Sequence, residues 1–124
     1  MKTRGAGGSI INIASVLGEA VRPMVSAYCV SKAAVIQLTK AMALELTRSN
    51  IRVNALAPGY FSTDLNREFL ESDLGATLIE RIPMQRPGNY AELDAPLLLL
   101  ASGAGSYITG SALVVDGGVL LSTG

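Results

Sequence analysis

The sequence predicts an α/β fold built on a small parallel sheet, and three observations carry that expectation. Apolar runs of strand length, "SIINIAS", "NIRVNALAP" and "ALVVDGG", alternate with two helical stretches. The runs are rich in apolar residues on both faces, as in strands covered above and below, with none of the strict alternation of a half-solvated sheet. Strand, helix, strand, helix, strand is also the order that parallel neighbours require, because each pair needs a crossover connection.

Taken in order, "RGAGG" reads as a loop leading into the first strand, "SIINIAS". A looser stretch with Gly18 and Pro23 follows, and residues 27 to 47 then run without Gly or Pro and are rich in Ala, Leu, Met, Lys and Glu, which predicts a long helix. Its apolar residues, from Cys29 and Val30 to Leu44 and Leu46, cover more than one stripe. One face therefore meets the sheet and another meets something else, for which a partner subunit would serve. "NIRVNALAP" is the second strand, ended by Pro58 and Gly59. Residues 60 to 89 are more polar, contain Gly75, Pro87 and Gly88, and hold short helical pieces such as "LNREFLES" and "GATLIERI", as an excursion or lid would. "NYAELDAPLLLLASG" predicts a further helix, with Pro96 in its first turn if it begins around Asp94 and a kink if it begins earlier. "ALVVDGG" is the third strand, closed by a glycine pair.

The bulk numbers narrow the function classes. The 124 residues, 49% of them hydrophobic, suit one compact unit. Ten basic and ten acidic residues give no net charge, and no Lys/Arg cluster tracks a phosphate backbone, which argues against nucleic acid as a partner. The longest clear apolar run, "APLLLLA", falls far below the roughly 20 residues of a membrane-spanning helix. A single cysteine, Cys29, and the absence of histidine argue against an intrachain disulfide and a structural metal, and fit a reducing cytoplasm. "MKTRGAGG" lacks the apolar core of a secretory signal.

The stretch "VSAYCVSKAAV" sets Tyr28 and Lys32 four positions apart at the start of the long helix, so both project from one face. A phenol ordinarily titrates at about pH 10, too high for easy exchange at neutrality, but a nearby ammonium favours the phenolate. Such a pair can serve as a general acid for a carbonyl oxygen that becomes an alkoxide. Alone, the same spacing also suits a ring packed on the core and a lysine snorkelling to water. Cys29 reads as a small buried hydrophobe. Asp64, Glu68, Glu71, Asp73 and Glu80 read as a solvated face, and Asp94 as a helix cap.

Around that pair the sequence resembles the short-chain dehydrogenase/reductase family at several places. Ser15, at the end of "INIAS", lies thirteen residues before Tyr28; "NALAPGYFST" supplies Asn54, Pro58, Gly59 and Thr63; "YITGSALVVDGG" ends in Asp116, Gly117 and Gly118. The tail and overall pattern look most like the 3-oxoacyl-carrier-protein reductase and sugar-alcohol types of member. The resemblance implies an NAD(P)-dependent oxidoreductase that interconverts a carbonyl and an alcohol by hydride transfer. It further implies that Tyr28 is the proton donor or acceptor, that Lys32 assists Tyr28 and binds the nicotinamide ribose, and that Ser15 holds the substrate carbonyl. The backbone after Gly59, near Phe61, together with Thr63, would hold the nicotinamide carboxamide and nearby phosphate. NAD and NADP remain open as the cofactor.

The family's glycine-rich turn after the first strand is missing, since "RGAGG" precedes a strand. The expectation is therefore a single unit, residues 1–124, that forms the C-terminal, catalytic and substrate half of a doubly wound parallel (Rossmann) sheet, with the dinucleotide-binding half absent. Such a half is expected to be inactive alone and to self-associate through the helix at 27–47 and the C-terminal strand. The alternative is a non-catalytic fragment that binds no cofactor.

Overall fold

The structure is a computed structural model that describes Met1 and residues 5–122. Arg4 of the leading glycine segment lies outside the described residues. Three strands, β1 (Gly8–Ile13), β2 (Ile51–Pro58) and β3 (Ala112–Val115), form one parallel sheet in the order β1-β2-β3. Ile10 pairs with Val53 and Ile13 with Leu56 on one side of β2, and Ala55 pairs with Ala112 and Pro58 with Val115 on the other.

The long helix α1 (Ser26–Leu46) makes the crossover between β1 and β2, one residue earlier at each end than the sequence suggested. It packs where β2 carries small side chains. Ile36 and Val35 meet Ala14, Ala55, Ala57, Ala112 and Val114, while Ala43, Met42 and Leu46 meet Ile10, Ile51 and Val53. Alanine at 55 and 57 lets the helix approach the sheet, and both are fully buried. Cys29 is buried in the same helix. Only one stripe of α1 is covered, however, and Val30, Leu38 and Leu44 lie exposed. No described helix is long and apolar enough to cross a membrane.

Between β2 and β3 the chain makes two short helices, α2 (Arg67–Leu70) and α3 (Asp73–Glu80), and then α4 (Asp94–Ala101). Pro96 sits in the first turn of α4, where its missing N–H costs nothing. Asp94 is the first residue of that helix, not its cap. The cap lies upstream, in a 3-10 turn at Tyr90–Leu93, where Asn89 and Glu92 form a reciprocal capping box. Asp64, Glu68, Glu71, Asp73 and Glu80 are all exposed.

The opposite face of β2 is tied down by polar groups. Asn54 is fully buried; its amide donates to the Ile108 carbonyl at 2.8 Å and its oxygen accepts from the Ser111 amide at 3.1 Å. Arg52 donates to the Ser102 carbonyl at 3.0 Å, and the Val53 amide donates to the Thr109 hydroxyl. These bonds steer residues 102–111 along β2 and so set the register of β3. Asn54→Leu should orphan the Ser111 amide and leave the Ile108 carbonyl only its long bond from Arg52, lowering the unfolding free energy by about 1 to 3 kcal/mol. Urea denaturation reads this, and a change below about 0.5 kcal/mol would show that the latch contributes nothing.

Candidate active site

All three strands end on one rim of the sheet, at Ile13, Pro58 and Val115, which is where open α/β sheets collect ligands. Ser15 lies two residues beyond β1. It is buried, and its Oγ accepts a bond from the Leu17 amide at 3.2 Å, capping a 3-10 turn at Val16–Gly18. The hydroxyl proton is still free to be donated.

That turn rests directly on α1. A Cβ at Gly18 would come within 2.8 Å of the Lys32 carbonyl and of Ile36, so only glycine permits this approach. Tyr28, half-exposed, stands one turn before Lys32. The Lys32 ammonium donates to the Ile13 carbonyl at 3.0 Å and lies 5.6 Å from the centre of the Tyr28 ring. The helix that carries Tyr28 is thus fastened to the end of the strand that carries Ser15. One of the three ammonium donors is used, leaving two.

The second strand delivers the remaining residues. Gly59 passes so close to the Asp116 backbone that a Cβ would lie 2.8 Å from its Cα. Asp116 itself caps the turn beyond β3, accepting from the amides of Gly118 and Leu120 at 2.8 Å. Phe61 is buried and bridges to Gly88, with the Ser62 amide donating to the Gly88 carbonyl and the Gly88 amide to the Tyr60 carbonyl. Its own amide has no acceptor among the described residues. Thr63 is already engaged: its amide donates to Asn66 Oδ1 at 2.7 Å and its hydroxyl accepts from the Asn66 amide at 3.1 Å.

The structure adds residues that sequence reasoning missed. Gly88 has no room for a side chain because a Cβ would overlap the Phe61 ring. Arg86 holds both oxygens of Glu92, at 2.8 and 2.7 Å, while Glu92 also accepts from the Asn89 amide. This clip closes the loop that carries Gly88 against Phe61. The pattern Asn89-x-x-Glu92 was legible as a capping box; the arginine fork was not. Arg22, in the segment between Ser15 and Tyr28, donates to the Tyr60 hydroxyl at 2.9 Å.

Comparison with known proteins places the chain in a family. The family model described as Enoyl-(Acyl carrier protein) reductase matches residues 1–120. The chain belongs to the short-chain dehydrogenase/reductase family. It is 47% identical over 121 residues to the galactitol 2-dehydrogenase (L-tagatose-forming) of Cereibacter sphaeroides, covering 95% of this chain and 47% of that one. It is 43% identical over 114 residues to the 3-oxoacyl-[acyl-carrier-protein] reductase of Thermotoga maritima, covering 92% and 46%. A solved gluconate 5-dehydrogenase from Burkholderia cenocepacia, in complex with NADP and tartrate, superposes with a TM-score of 0.89 at 42% identity, covering 95% of this chain and 46% of that one. The chain spans about half the length of the relatives it matches. Its three-stranded sheet and helices are consistent with an α/β part of the Rossmann fold of those neighbours.

The Arg86 clip makes a pH prediction. The guanidinium, then the Asn89 amide, hold the Glu92 carboxyl at about 2, against 4.5 ordinarily, and the carboxylate raises Arg86 in turn. A depressed carboxyl stabilises the fold above its ordinary range and loses that effect as pH falls from about 4.5 towards 2. Glu92→Gln should therefore be less stable than the parent at pH 7, by the modest amount of a surface pair, with the gap closing across that window. Thermal midpoints measured from pH 7 to pH 2 check this; a constant gap would contradict it.

Proposed function

We propose that residues 1–124 form the catalytic and substrate half of an NAD(P)-dependent oxidoreductase that interconverts a carbonyl and an alcohol. The observation that supports the reading is the bond from Lys32 to Ile13 with Gly18 packed on Lys32, which sets the start of the helix carrying Tyr28 against the turn that Ser15 caps. The relatives, whose names are those of dehydrogenases and reductases, support it.

The residues present fit the nicotinamide end of such a cofactor. The unpaired Phe61 amide is a donor for a carboxamide oxygen, and the two spare donors of Lys32 suit ribose hydroxyls. Pro58 ends the ladder and turns the chain outward to present these groups. Thr63 contributes its hydroxyl proton, since its amide is taken. Bound NAD(P)H supplies the hydride, and NAD(P)+ accepts it in the reverse direction.

In the reductive direction charge develops on the substrate oxygen. Ser15, whose oxygen is already oriented by the Leu17 amide, donates its hydroxyl proton as a hydrogen bond to that oxygen. Tyr28 transfers its phenolic proton to the same oxygen, and the Lys32 ammonium beside the ring stabilises the phenolate left behind. Oxidation of the alcohol runs these steps backwards. In the complete enzyme, Tyr28→Phe should cut turnover by at least about 100-fold, read from nicotinamide absorbance with carbonyl and alcohol substrates, while cofactor affinity changes little. Retention of most activity would refute the assignment.

A second reading concerns assembly in a reducing cytoplasm. The structure exposes 8002 Å², against about 6,300 Å² for a compact chain of this mass, and Val30, Leu38 and Leu44 of α1 contribute to the excess. The excess is about twice the roughly 800 Å² that one partner contributes to a standard interface, which favours association of copies through α1 and β3. Sedimentation equilibrium should show dimers or larger species, and a 12.9 kDa monomer at high concentration would exclude this.

A further inference from the structure

Beside Ser15 a cavity of about 280 Å³ opens between the loop at 19–25 and α3. Its floor is rigid, because Val16, Ile82 and Val119 are buried in one packed cluster. Its rim carries two guanidinium groups, Arg22 from the loop and Arg81 from the end of α3. Both also line an adjoining cavity of about 260 Å³, so they stand on the ridge between the two.

Neither arginine forms an ion pair. Among the described residues the two ion pairs are Arg67–Asp64 and Arg86–Glu92. Arg22 is nevertheless oriented: its Nη1 donates to the Tyr60 hydroxyl at 2.9 Å and its Cζ lies 5.9 Å from the ring centre. That bond uses one of its five donors. The loop is held by an unusual backbone, with Met24 at φ 67, a conformation rare for a side-chain-bearing residue outside tight turns. Both guanidinium groups line the cavity with no carboxylate partner among the described residues, and a planar carboxylate entering it can take paired charge-assisted bonds from such a fork.

Resting on the oxidoreductase reading above, we infer that Arg22 and Arg81 form a carboxylate subsite, so that the substrate is a short polyhydroxy acid rather than a neutral polyol. The names of the relatives include both kinds, galactitol and gluconate, and do not choose between them. The guanidinium pair does. An acid anchored here directs its chain past Val16 towards Ser15, and the cavity volume, at the small end for ligand pockets, suits a molecule of that size. The inference makes Arg22 and Arg81 specificity-determining residues and Tyr60 a positioning residue for Arg22.

The test is direct binding, read by ligand-observed NMR and calorimetry, of D-gluconate and of D-glucitol, which differ only in a carboxylate replaced by a hydroxymethyl group. The protein should bind gluconate at least about tenfold more tightly, and the preference should shrink as salt is raised. Arg22→Gln and Arg81→Gln should each weaken gluconate about tenfold without altering glucitol, and the double variant should erase the preference. Arg22→Lys and Arg81→Lys, which keep the charge and lose the fork, should restore part of it. Circular dichroism confirms that each variant is folded. Equal affinity for the two ligands, no gluconate binding, or a preference untouched by the double variant overturns the inference. In the complete enzyme Tyr28→Phe separates the two ideas: it should cut turnover at least about 100-fold yet leave the gluconate preference intact, so loss of one result without the other shows which has failed.

Discussion

Parallel pairing is the constraint on which the rest of the molecule depends. Because β1, β2 and β3 run the same way, their carboxyl ends share one rim, and the chain must return to the opposite edge each time by a crossover. What leaves that rim makes up the candidate site: Ser15 after β1, Gly59 to Thr63 after β2, Asp116 to Gly118 after β3. The crossover after β1 is α1, and Lys32 near its start reaches the Ile13 carbonyl, which fastens that end of the helix to the same rim. A sheet of mixed direction would have scattered these residues over both ends.

Holding that rim together falls largely to bonds between side chains and backbone: Lys32 to Ile13, Asn66 to Phe61 and Thr63, and Asp116 to Gly118 and Leu120. At the opposite end of the sheet, Asn54 to Ile108 and Ser111 holds the segment that enters β3. Charge pairs do less. Arg67–Asp64 and Arg86–Glu92 are both solvent-facing, and such pairs contribute little on their own. Arg86 matters through geometry, since its fork fixes Glu92, which caps the turn that presses Gly88 onto Phe61.

The sequence was most legible where one local rule decides the outcome. Apolar runs marked β1, β2 and β3 because strands buried in a parallel sheet are rich in apolar residues on both faces, and a stretch free of Gly and Pro marked α1 to within a residue. Tyr28 and Lys32 were legible because helical spacing alone puts them together. It was least legible where two distant segments must meet. Nothing local to Gly88 announces the Phe61 ring that forbids it a side chain, and nothing local to Arg22 announces Tyr60, 38 residues away. Asp94 illustrates a third case. Its residue type suits a cap, but the 3-10 turn at Tyr90–Leu93, capped reciprocally by Asn89 and Glu92, runs straight into α4, so Asp94 lies inside the helical run.

Helix α1 carries a conflict that the described residues do not resolve by themselves. Along its length Cys29, Ile36, Thr39 and Ala43 are buried, all on the stripe that faces β2. Val30, Leu38 and Leu44 face away from that stripe and remain in water. A helix apolar on more than one face is stable when both faces are covered, and intrinsic propensity alone is a small term beside such burial. Leaving three aliphatic side chains exposed forfeits roughly 1.5 to 3 kcal/mol each relative to burial. That forfeited burial is the driving force for covering α1, and it acts on the same helix that carries Tyr28 and Lys32. Tyr28 and Lys32 stand on that same helix, so a cover over its exposed face would bear on the element that positions both side chains.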